Sequence, residues 1–71
     1  MIQVMKLTIN GESRELCGEE LTVTGLLGEL GLAGRPVAVE VNKRLVFKRN
    51  HETTPLRDGD SVEVVTMVGG G

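Results

Sequence analysis

The chain has 71 residues, room for one domain with a small core. It is 39% hydrophobic and 25% charged, with a net charge of −2 and Phe47 as its only aromatic residue. That balance excludes a phosphate-backbone binder and a base-stacking platform, and no apolar run is long enough to span a bilayer.

The N-terminus carries no signal-peptide pattern, so a cytoplasmic protein is expected. Cys17 is the only cysteine, which rules out an internal disulfide and a multi-cysteine metal site. No nucleophile elbow, zinc-binding His pair or phosphate-cradling loop is present. A chain of this size has little material left to wall a pocket once its core is filled. The expectation is a protein that performs no chemistry alone and acts through a partner.

In chain order, "MKLTINGESREL" reads as a hairpin. Met5, Leu7 and Ile9 alternate with Lys6 and Thr8, the period of a half-buried strand. Asn10-Gly11 supplies the positive-φ pair of a tight turn, and Ser13 to Cys17 returns as a short second strand. The leading "MIQV" either extends the first strand or precedes an alternative start at Met5. "LTVTGLLGELGLAG" is the single helix candidate. Val23, Leu26, Leu27 and Leu30 form one apolar stripe, Thr22 is the N-cap, and Gly31 or Gly34 the stop. Gly25 and Gly28 each cost about 1 kcal/mol relative to Ala, so this helix depends on packing against a sheet.

"PVAVEVN" restores period two, with Val37, Val39 and Val41 on one face. "RLVF" follows an Asn42-Lys43 turn as a short strand, and "KRNHETTP" reads as an irregular surface loop. "LRDGDSVEVVTMV" gives a turn at Arg57 to Asp60 and a long last strand. Val62 and Val64 point one way there, Val65 and Met67 the other. The class is α+β, one helix packed on one face of a sheet, with Val39 and Val64 central.

Gly69, Gly70 and Gly71 are the first functional candidates. Three residues without Cβ let a backbone enter a channel too narrow for side chains. From Thr66 to Gly71 an extended chain reaches about 20 Å at ~3.3 Å per residue, enough to carry a carboxylate deep into another protein. The expected organisation is a domain at 1–68 and a flexible glycine tail at 69–71.

Val65 and Met67 either sit as scattered apolar surface or anchor the root of the tail; with Val68 they are the partner-binding candidates. Asp58 and Asp60 belong to a turn, since Asp and Gly are turn residues and no further ligands lie at calcium-loop spacing. Cys17 has acidic neighbours and is expected as a small hydrophobe of the hairpin. His51 is expected as solvated surface. Lys43, Arg44, Lys48 and Arg49 form the one basic cluster, either a solvated face or a patch that steers an acidic partner.

The segments "LTINGE", "TVTGLLGELGL", "VAVEVNKRLV" and "PLRDGDSVEVVTMVGGG" together resemble the ThiS family, the ubiquitin-like sulfur carriers of thiamine biosynthesis. The resemblance spans Met5 to Gly71. It departs at "KRLVFKRNH", which lacks the Pro and Trp that many relatives carry there. It implies a β-grasp fold, a mixed sheet around one helix with the last strand beside the first. It also implies that a ThiF/E1-like adenylyltransferase uses ATP to adenylate the Gly71 carboxylate while Gly69 and Gly70 thread its active site. A persulfide protein then supplies sulfur, leaving a thiocarboxylate, and a ThiG-type thiazole synthase accepts that sulfur. The carrier itself needs no metal or organic cofactor. Three alternatives share the pattern: a molybdopterin-synthase small subunit of MoaD type, a ubiquitin-like protein modifier, and a plain interaction module.

Overall fold

The computed structural model describes residues 4–17 and 20–67. Strands β1 (Val4–Ile9) and β2 (Glu12–Cys17) form the expected hairpin, pairing from Val4 opposite Cys17 to Ile9 opposite Glu12. The turn works because Asn10 and Gly11 both take positive φ, 51° and 85°. A second turn of the same kind, at Asn42 and Lys43 (φ 51° and 69°), joins β4 (Val37–Val41) to β5 (Arg44–Val46).

The last long strand, β7 (Ser61–Thr66), runs parallel to β1 and antiparallel to β4, which gives a five-stranded sheet of order β2-β1-β7-β4-β5. Val39 lies opposite Val64 in its centre, as the pattern of the two segments predicts. A two-stranded ladder, β3 (Leu21–Thr22) with β6 (Pro55–Leu56), closes the opposite side and is not visible in the sequence pattern.

Helix α1 (Val23–Glu29) is shorter than its apolar stripe suggests. Thr22 caps it, its side-chain oxygen accepting from the Gly25 N–H at 3.2 Å. The stop is Gly31 rather than Gly34. With φ +74°, Gly31 lets its own N–H reach the Gly28 carbonyl and the Leu32 N–H reach the Leu27 carbonyl, so the last carbonyls are satisfied.

Alternation decides what the sheet buries. Met5, Leu7 and Ile9 of β1, Val39 of β4, and Val62 and Val64 of β7 face Val23, Leu26 and Leu27 of the helix, with Leu56 completing the core. The mixed sheet, with one helix on one face and the last strand beside the first, is the β-grasp arrangement.

Three expectations are corrected. Cys17 is exposed rather than packed in the hairpin, because its register places it opposite Val4, on the face that Met5 and Leu7 turn away from. His51 is buried at 7% exposure, not solvated. The "KRNHETTP" segment is also more ordered than an irregular loop, since Lys48–Asn50 form a 3₁₀ turn. The Asn50 carbonyl then accepts from the Thr53 and Thr54 N–H groups and from both hydroxyls.

Candidate functional site

The root of the tail is built by the neighbours of β7. Thr66 pairs with Val37, and the Met67 N–H donates to the Pro36 carbonyl at 2.9 Å, so backbone pairing holds the strand through Met67. On its other side β1 contributes the Thr8 N–H to Asp60 O and the Asn10 N–H to Val62 O. Beyond Asn10 the first strand turns away at Gly11, and the next rung would be missing. The Asn10 side-chain amide supplies it. Its Nδ2 donates to the Val64 carbonyl at 3.1 Å, and its Oδ1 accepts from the Val64 N–H at 2.8 Å. A primary amide has the donor–acceptor geometry of one more peptide group.

The start of β7 is held in a related way. Asn42 Oδ1 accepts from the Ser61 N–H, Asn42 Nδ2 donates to Asp60 Oδ1, and the Asn42 N–H donates to the Ser61 carbonyl. Each of the two turn asparagines therefore fixes one end of the strand that leads to the glycines. Reading the sequence for turns assigns both residues a backbone role only; their side-chain role follows from the topology.

The turn before β7 is a turn and not a cation loop. Gly59 has φ +90°, the Asp60 N–H donates to the Arg57 carbonyl, and Asp60 Oδ2 accepts from the Arg57 N–H. Asp58 Oδ1 accepts from the Lys6 N–H at 2.7 Å, so both carboxylates serve backbone donors. No group of three or more His, Cys, Asp and Glu residues arranged for a metal occurs among the described residues.

The sheet face turned away from the helix is open. Val65 and Met67 are 60% and 52% exposed. Register places Ala38 beside Val65 and Leu45 beside Glu40 on that face, while Val4, at the start of β1, lies at the opposite end of the sheet from Met67. Leu45 is exposed there as well; Val4 and Phe47 are exposed elsewhere, the Phe47 ring lying 4.7 Å from the guanidinium of Arg49. Val65, Met67 and Leu45 thus leave apolar surface open on this face toward the end of β7. Val68 and Gly69, Gly70 and Gly71, the other candidates of the sequence, lie outside the described residues.

His51 sits on the opposite, helix side. The Val46 carbonyl can only accept, so the 3.1 Å contact assigns the ring proton to Nε2. The His51 carbonyl in turn accepts from the Thr24 N–H in the first turn of α1. Its role is to tie the 3₁₀ segment to the helix. Among the described residues, no helix is long and apolar enough to cross a membrane.

The sequence pattern of the ThiS family matches residues 7–71. The chain belongs to the ThiS family. The match runs through all three terminal glycines. A crystal structure of the thiamine biosynthesis protein ThiS from Geobacter metallireducens superposes with a TM-score of 0.80 at 38% identity, covering 94% of this chain and 100% of that one. The sulfur carrier protein ThiS of Thermus thermophilus is 41% identical over 63 residues, 89% of this chain and 95% of that protein. A thiazole synthase of Paramagnetospirillum magneticum is 48% identical over 67 residues. That match covers 94% of this chain, which spans only 20% of the length of that relative.

Proposed function

We propose that this protein is a sulfur carrier of thiamine biosynthesis whose working group is the Gly71 carboxylate. An ATP-using activating enzyme of ThiF type joins that carboxylate to AMP and releases pyrophosphate. A protein persulfide attacks the acyl adenylate through its terminal sulfur, AMP leaves, and a thiol cleaves the resulting acyl disulfide to a thiocarboxylate. A ThiG-type thiazole synthase then takes the sulfur.

The observation that carries this reading is the extension of the family match through residue 71. Three features of the chain support it. The glycines at 69, 70 and 71 present no side chain to a narrow channel. Their root is a strand held on one side by β1 and Asn10 as far as Val64 and on the other by β4 and Pro36 as far as Met67. Val65 and Met67, with Val68, provide apolar contact beside that point for the activating enzyme and the synthase. The thiazole synthase of P. magneticum carries a stretch similar to this chain within a longer polypeptide, which favours thiazole as the destination of the sulfur.

The test is incubation of the full chain with the activating enzyme, ATP and a persulfide donor, followed by fragment mass spectrometry. One oxygen exchanged for one sulfur on Gly71 is expected, with thiol-specific alkylation separating it from methionine oxidation. Deleting Gly71 is expected to abolish the product while leaving the thermal melting curve unchanged. Sulfur elsewhere, or an active enzyme that forms no adenylate, would refute the reading.

A further inference from the structure

A cleft of about 670 Å³ opens on the helix side of the molecule, away from the open sheet face. Its apolar surface comes from Leu27 of α1, Ala33, and Val37 at the start of β4, and buried His51 lines it as well. Arg35 enters from the loop before β4, and Lys48 and Arg49 from the 3₁₀ turn. Three of the chain's eight Lys and Arg residues thus surround one cleft, against a single carboxylate, Glu52, in a protein of net charge −2.

The place of this cleft matters. Val37 is the partner of Thr66, and Pro36, between Arg35 and Val37, accepts the Met67 N–H. The cationic cleft therefore opens beside the root of the tail. The structure also divides the basic cluster seen in the sequence. Lys43 and Arg44 sit at the β4–β5 turn, at the far end of β4 from Val37, about 13 Å away at ~3.3 Å per residue.

We propose that this cleft receives an acidic segment of the activating enzyme, an extended stretch of Asp or Glu flanking one apolar side chain. The apolar side chain lies against Leu27, Ala33 and Val37, and the carboxylates meet Arg35, Lys48 and Arg49. This rests on the carrier reading, because the partner that takes the tail must present a surface next to its root. It adds a second contact, on the opposite side of the sheet from Val65. Charge complementarity selects the occupant. The surplus of cations at this one place would repel a basic partner, and their spread along an apolar floor matches an extended peptide better than a compact anion.

The test compares two double variants that change net charge equally, R35E/K48E in the cleft and K43E/R44E at the far turn. All four side chains are exposed, and the Arg35 and Lys48 backbone contacts are kept on substitution. ATP–pyrophosphate exchange is followed against carrier concentration at about 50 mM and about 500 mM NaCl. R35E/K48E is expected to raise KM about tenfold at low salt with kcat within about twofold, and the effect should shrink at high salt. K43E/R44E is expected to raise KM no more than about twofold. Equal shifts in the two variants would leave only long-range attraction and overturn the docking site. So would an unchanged KM in R35E/K48E accompanied by phosphate-induced amide shifts at Thr24 and His51, which would make the cleft a small-anion site. Dimerisation of the wild-type chain that R35E/K48E abolishes would give the cleft to a second copy, with the same consequence. No exchange with the wild-type chain would instead remove the carrier reading, and this partner with it.

Discussion

Replacing Asn10 separates the side-chain rung on β7 from the turn that it sits in. Asn10→Gly keeps the positive φ accessible and removes only the two hydrogen bonds to Val64. Each bond contributes about 0.5–1.5 kcal/mol net, so a loss of about 2 kcal/mol is expected. Asn10→Ala removes the same bonds and adds the left-handed penalty of a Cβ at φ +51°, roughly 1 kcal/mol more, for about 3 in all. A domain of this size has a total stability of roughly 4–10 kcal/mol, so the alanine variant loses a large part of it. Its melting temperature should fall by about 12 °C or more. Urea unfolding measures both changes, with the midpoint shifting and the slope unchanged. Hydrogen exchange localises them, since the Val64 amide should lose protection before that of Val39. Asn10→Asp keeps the acceptor but turns an oxygen toward the Val64 carbonyl, and belongs between wild type and alanine. A glycine variant within about 0.5 kcal/mol of wild type would show that the amide adds nothing to the ladder.

The remaining predictions concern the helix side and the open face. His51→Ala removes a buried ring and its bond to the Val46 carbonyl, and should cost about 2–3 kcal/mol in urea unfolding, with Gln restoring part of the loss. Thr22→Ala removes the N-cap of a seven-residue helix and should cost about 1 kcal/mol, while Thr22→Ser stays close to wild type. Cys17 is exposed, so a thiol reagent should label it in the native protein without prior unfolding; protection until unfolding would contradict the register of the hairpin.

What was legible in the sequence was whatever is local in period or in turn chemistry. Alternation at Met5–Leu7–Ile9 and at Val62–Val64 identifies the buried face, and Asn10-Gly11 and Asn42-Lys43 identify the two hairpins. The same parity places Val65 and Met67 on the opposite face, where both are exposed. What was not legible depends on pairing across long separations. Leu21 meets Leu56 in a ladder that neither segment announces, and that ladder carries Leu56 into the core. His51 looks solvated among polar neighbours, but its burial comes from the 3₁₀ turn folding against α1. Cys17 fails for a different reason. Its composition suits a core, and only the register with Val4 sends it outward.

The position of β7 in the sheet connects the fold to the tail. Had the glycines continued from an edge strand, their root would be held by one ladder and would fray with it. They continue instead from the central strand, paired with β1 on one side and β4 on the other. The two ladders end at different heights, because β1 leaves at Gly11 while β4 still pairs at Val37 opposite Thr66. The Asn10 amide carries the β1 side as far as Val64, and the Pro36 carbonyl carries the β4 side to Met67. Among the described residues, backbone support on the hairpin side reaches Val64 and on the cleft side reaches Met67. A partner that grips beside Pro36 and Val37 would meet the strand at Met67, where the Pro36 carbonyl holds its backbone. That is where Arg35 enters the cationic cleft, and it is the reason for placing the acidic contact there rather than at the basic but distant turn of Lys43 and Arg44.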